Sequence, residues 1–100
     1  MKKGYAVVLL DVTDHRQYAE YARRATEIEA RHGGRALVAG EALEVVDGDW
    51  PARRTVVLEF PSIEHARAWY SDPDYRELIP LRRDSTNSQV LLIEGFSAED

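Results

Sequence analysis

Tyr5–Val12, YAVVLLDV, is apolar on both parities, the pattern of a strand covered on both faces. Beyond it Tyr18, Tyr21, Ala22, Ala25, Ile28 and, more weakly, His32 recur at helical spacing, with Glu20, Arg23, Arg24, Glu27 and Arg31 on the other side. This predicts a helix over Asp14–His32. Thr13 or Asp14 offers the N-cap, and Gln17 stands three residues after Asp14 in a capping-box-like arrangement. Gly33-Gly34 ends the helix, where the C-cap needs positive φ.

Arg35–Phe60 reads as one long hairpin closed by Val46–Asp47–Gly48–Asp49, because Asp-Gly between apolar arms favours a tight turn. The inner arms, Ala36–Ala39 and Thr55–Phe60, carry core-forming residues. The outer part carries Glu41, Glu44, Asp47, Arg53, Arg54 and one indole, Trp50. Pro51 cannot donate to a central ladder, so this part belongs at an edge or beyond the sheet. Gly40 within the first arm marks a bulge or a close backbone approach.

Ser62 caps a second helix with Ala66, Trp69 and Tyr70 as its apolar stripe. Asp72-Pro73 restarts the chain as cap and first helical residue. A short third helix carries Tyr75, Leu78 and Ile79 inward, and Pro80 ends or kinks it. Arg82–Ser88 reads as a polar connector and Gln89–Phe96 as the last strand. The order β-α-β-β-α-β, its second helix broken in two, predicts an α+β, ferredoxin-like split arrangement: a four-stranded antiparallel sheet with helices on one face. Val7, Leu9 and Val57 oppose Val8, Leu10, Val56 and Leu58, so both faces of the sheet centre are apolar. Burying each such side chain is worth about 1.5–3 kcal/mol. A second copy packed sheet to sheet, a homodimer, is therefore expected.

Composition narrows the classes. One hundred residues, 44% hydrophobic and 31% charged, fit one globular domain over 1–100. Eighteen acids against 13 bases leave a net charge of −5, and no Lys/Arg run exceeds two, which argues against a nucleic-acid partner. Without cysteine there is no disulfide, thiolate metal site or Cys nucleophile. Lys2-Lys3 before Tyr5–Leu10 faintly resembles a secretion signal, but the apolar run stops at Asp11. No stretch approaches the roughly 20 apolar residues of a membrane span. A soluble cytoplasmic protein with no membrane partner is expected.

The succession Tyr18-x-x-Tyr21, Gly33-Gly34-Arg35, Gly40, Glu44, Gly48-x-Trp50-Pro51-x-Arg53, Glu59-Phe60-Pro61-Ser62, Ala66-x-x-Trp69-Tyr70, Pro73-x-Tyr75, Arg82 and Glu94-Gly95 covers most of the chain. It resembles the domain-of-unknown-function family thirteen-thirty, within the dimeric α/β-barrel superfamily. The resemblance implies a ferredoxin-like protomer and a barrel-forming dimer, and no assigned activity. It departs at Glu41, where members often carry a second glycine.

His15, His32 and His65 sit near helix ends without metal-ligand spacing, so no metal and no cofactor are expected; for a haem they are the axial ligands the chain offers, none evidently placed in a pocket. No elbow nucleophile or phosphate-cradling loop occurs. Glu59 lies beside an apolar run, either paired with Arg53, Arg54 or Arg82, or partly buried as a base with a raised pKa. Glu94 is similar but stands near a strand end. Trp69, Tyr70 and Tyr75 read as core residues or as pocket walls. Trp50, beside a turn, packs on a partner subunit or roofs a pocket. Arg82 forms a surface ion pair or binds an anion. The leading expectation is a small organic ligand held between sheet and helices by Trp50, Arg53, Glu59, Trp69 and Arg82. The alternatives are a small enzyme of the cofactor-free monooxygenase or isomerase type, with Glu59 as base and Arg82 as oxyanion partner, and a structural or regulatory dimer.

Overall fold

The computed structural model describes residues 2–97. Its elements are β1 (Gly4–Val12), α1 (His15–Arg31), β2 (Arg35–Gly40), β3 (Arg54–Phe60), α2 (Ile63–Ser71), α3 (Pro73–Ser85) and β4 (Thr86–Glu94). The strands form one antiparallel sheet in the order β2-β3-β1-β4, the ferredoxin-like βαββαβ arrangement. β1 is central, and its alternation sorts the two faces. Ala6, Val8 and Leu10 are buried beneath the helices, and Tyr5, Val7 and Leu9 stand half-buried on the helix-free face.

The caps lie where the sequence puts them. The Asp14 carboxylate accepts from the Gln17 N–H at 3.0 Å, and the Ser62 hydroxyl from the His65 N–H at 3.2 Å. α1 closes in a Schellman motif: the Gly34 N–H donates to the Glu29 carbonyl at 2.8 Å and the Gly33 N–H to that of Ala30 at 3.0 Å. Gly33 holds φ at +75°, a conformation that costs other residues a Cβ clash.

Four expectations are corrected. The β2–β3 ladder stops at Gly40↔Thr55, so residues 41–53 form an exposed loop, not the tight end of a hairpin. Gly48 takes φ +77° within that loop, and the Arg53 N–H is held by the Asp11 carboxylate of β1 at 2.8 Å instead of by a strand partner. The register shift lies between Ala36 and Val38, not at Gly40. Ala36–Ala39 are exposed, since β2 is an edge strand with no strand beyond it.

α3, expected to be short, runs through Pro80 to Ser85, and β4 starts at Thr86. Pro80 faces solvent, so the Arg76 carbonyl it cannot serve lies on the exposed side. The turns beyond are pinned by two local side-chain bonds and one tertiary bond. Ser85 Oγ donates to the Leu81 carbonyl at 2.7 Å and Thr86 Oγ1 to that of Arg82 at 2.6 Å. The Ser85 carbonyl accepts the Thr13 N–H at 2.8 Å. Local propensity loses to packing here.

Candidate functional site

A cavity of about 220 Å³ lies between α1 and the sheet. Small side chains on both surfaces leave it: Ala22 and Ala25 on α1 stand over Ala36 and Ala39 on β2. Val8, Leu10, Val56 and Leu58 make an apolar floor, and Tyr18, Tyr21 and Trp69 close it with rings. Trp69 is 1% exposed and is held between Phe60, Tyr70 and Tyr75, with centroids 5.4, 5.6 and 4.5 Å away. Its Nε1–H is buried without an acceptor. Buried indole N–H groups ordinarily find one, because leaving the donor unpaired forfeits its hydration.

Two ionisable groups reach the same cavity. Glu29 has no hydrogen-bond or ion-pair partner for its carboxyl among the described residues, and burial pushes its pKa up to about 7. Arg54 donates from Nε to the Tyr18 hydroxyl at 3.2 Å and lies 5.5 Å over that ring. The cavity is thus mostly apolar, with one carboxyl near neutrality and one cation.

Tyr21 connects this cavity to the far side of the helices. Its hydroxyl meets that of Tyr75 at 2.7 Å, and Arg82 Nη1 donates to Tyr75 at 2.8 Å. Arg82 is 3% exposed, so the expected surface ion pair is absent. Burial opposes its charge, but the phenol oxygens of Tyr75, Tyr70 and Tyr21 hold its pKa above the ordinary value. Burial raises the pKa of Tyr21 and of Tyr75, so both remain neutral phenols.

The five residues proposed from sequence do not share one pocket. Only Trp69 lines the cavity between sheet and helices. Trp50, 49% exposed, and Arg53 meet in an open groove of about 570 Å³ with Asp11, His15 and Glu41. Arg82 lines a third place, a cleft beside β4. Glu59 is on the helix-free face, where Arg35 Nε and Nη2 donate to it at 3.2 and 3.0 Å and the Tyr5 hydroxyl at 3.0 Å. Its ion-pair partner is therefore Arg35, not Arg53, Arg54 or Arg82. The Arg35 bonds and then the Tyr5 bond hold its carboxyl below the usual carboxylate range, which corrects the expectation of a raised value. Glu59 and Arg82 lie on opposite faces of the sheet and cannot act as base and oxyanion partner on one substrate.

His32 is paired with Asp72 at 2.8 Å and His65 with the Ser62 hydroxyl at 2.7 Å. Among the described residues no three His, Cys, Asp or Glu side chains gather as a metal would require, and no helix is long and apolar enough to cross a membrane.

Glu29 and Arg54 were missed at the sequence level. The signal for Glu29 was present: it stands at i+7 from Ala22 and i+4 from Ala25, on the apolar stripe of its own helix. Arg82 likewise continues the stripe Tyr75, Leu78, Ile79.

A family model described as a domain of unknown function, DUF1330, matches residues 3–96. No curated protein is significantly similar to the chain. Among solved structures, a protein of unknown function from Rhodopseudomonas palustris is similar with TM-score 0.75 at 19% identity, covering 96% of this chain and 84% of that one. SnoaB, a cofactor-independent oxygenase from Streptomyces nogalater, is similar with TM-score 0.66 at 15% identity, covering 98% and 97%. A dimeric ferredoxin-like protein of unknown function from Thermobifida fusca is similar with TM-score 0.61 at 14% identity, covering 92% and 90%. At these identities the likeness concerns the fold.

Proposed function

This chain belongs to the DUF1330 family, and we propose that it acts as a homodimer binding a small organic molecule in the cavity between α1 and the sheet. The observation that carries the reading is the cavity itself, an apolar floor walled by Tyr18, Tyr21 and Trp69 and reached by only a few polar side chains, Glu29 and Arg54 among them. A ligand of one or two rings would fill it, and a hydroxyl on it would meet Glu29. Pockets of this kind are apolar with a few polar groups that fix orientation.

The helix-free face of the sheet supports the dimer. Val7, Leu9 and Val57 run across its centre, and Val38, Leu91 and Ile93 flank them at 50, 51 and 55% exposure. A face of this character is covered in proteins that stay dispersed. The similarity to a dimeric ferredoxin-like protein agrees with it. A cytoplasmic location is part of the same proposal, and cell fractionation tests it.

Native mass spectrometry of freshly purified protein, repeated after denaturation, tests both parts. The expected result is a dimer with an added mass that is lost on unfolding and absent from Ala22→Phe, which fills the cavity. A Leu91→Arg variant should run as a folded monomer. A wild-type monomer at micromolar concentration refutes the assembly. Failure of one- and two-ring hydroxyaryl ketones at millimolar concentration to shift the melting temperature of empty protein refutes the site.

A second reading is favoured by Glu29. A carboxyl with a pKa of about 7 takes a proton from a bound hydroxyl or an acidic C–H at neutral pH, the first step of an enolisation or a cofactor-free oxygenation. SnoaB, described as a cofactor-independent oxygenase, shares the fold. Glu29→Gln separates the readings: binding persists in both, and turnover is lost only if the carboxyl is the base.

A further inference from the structure

The last turn of α3 holds an unusual charge. Arg82 is 97% buried, while Arg83 and Asp84 beside it are exposed. A guanidinium carries five N–H donors and is always charged. Here its acceptors are neutral oxygens: Tyr75 at 2.8 Å, Ser88 at 3.3 Å and Tyr70 at 3.4 Å. No carboxylate lies within ion-pair distance of it among the described residues. Buried cations are ordinarily matched by an anion, and this one is matched by one short bond and two long ones.

Arg82 also forms the back of a cleft of about 420 Å³ that opens beside edge strand β4. Tyr70, Arg83, Asn87 and Ser88 line the rest, together with Thr86 and Val90. Every polar side chain there can donate a hydrogen bond, and two are cations. None is acidic, although the chain carries 18 acids and a net charge of −5. Tyr70, half-buried and holding the longest of the three bonds, stands beside the guanidinium at this cleft.

We propose that this cleft is an oxyanion site, taking the carboxylate or phosphate group of a small molecule against Arg82, with Arg83 as second cation and Tyr70, Ser88 and Asn87 as neutral donors. Three of the five N–H donors are taken by Ser88, Tyr75 and Tyr70, which leaves one on each Nη, and a carboxylate or a phosphate presents paired oxygens to such a fork. The proposal is independent of the ligand cavity, which lies on the other side of the Tyr21–Tyr75 pair.

The test is thermal unfolding of the wild type in sodium chloride, acetate and inorganic phosphate at matched ionic strength. Acetate, phosphate or both should raise the midpoint along a saturating curve, and chloride should not. Arg83→Gln, at an exposed position that leaves folding intact, should weaken the response about fivefold. Ser88→Ala should weaken it too, and Arg82→Lys should abolish it if that variant folds. Ala22→Phe, which blocks the cavity, should leave it unchanged, so the two sites fail separately. Equal midpoints in all three salts overturn the proposal. So does a response that Arg83→Gln and Ser88→Ala leave intact, since the anion then binds elsewhere. The more effective of acetate and phosphate identifies the head group.

Discussion

Replacing Glu29 with glutamine should change how stability depends on pH, and the sign follows from burial. The carboxyl moves from an ordinary 4.5 up to about 7 in the folded chain because the cavity wall deprives its charged form of water. Below about pH 4.5 the group is protonated in both states and contributes nothing. Between about 4.5 and 7 the unfolded chain has released its proton while the folded chain still holds it, so stability falls as pH rises. Above 7 both states are ionised and the loss is complete. A rise of this size corresponds to about 3 kcal/mol. Because Glu29 keeps part of its surface in water, screening reduces this to about 1–2 kcal/mol. Urea unfolding of wild type and Glu29→Gln at about pH 5 and about pH 8, at one protein concentration, measures it. The variant should be less pH-sensitive by about 1–2 kcal/mol, because every other titrating group is common to both proteins. Parallel profiles, or a wild type that gains on the variant as pH rises, would refute the desolvated carboxyl and with it the proton-abstraction reading.

Three further outcomes are expected. Tyr75→Phe removes the 2.8 Å acceptor of Arg82 and the partner of Tyr21 together, and should cost about 1.5–3 kcal/mol in urea melts, with Tyr70→Phe, at 3.4 Å, costing less. Pro80→Ala restores a donor to the Arg76 carbonyl in a helix that already runs past it, and should raise stability by about 1–2 kcal/mol after the unfolded chain's gain in freedom is subtracted. Gly33→Ala should lose about 1–2 kcal/mol by thermal melting, since its φ of +75° is a left-handed conformation and the new Cβ would stand 2.9 Å from Pro61 Cγ.

Whatever depends on neighbours a few residues apart was legible in the chain. The strands and helices came in the expected order because side-chain period, Asp14 and Ser62 caps and the Gly33-Gly34 stop act locally. The apolar second face of the sheet could be read because strand alternation assigns Val7, Leu9 and Val57 to one side wherever the strands pair. Whatever depends on two layers meeting could not. The cavity exists because Ala22 and Ala25 of one layer happen to face Ala36 and Ala39 of another, some fifteen residues on, and no periodicity reports which small residues will oppose each other. The partner of Glu59 turned on the pairing of Arg35 with it across β2 and β3, and a chain offering several arginines leaves that open. Arg82 shows the competition most clearly. Its spacing from Tyr75 put it on a buried stripe, and Pro80 argued that the helix ended first. The Thr13 bond to the Ser85 carbonyl and the burial of Arg82 against Tyr75 decided for the helix, because contacts made together outweigh one missing backbone donor.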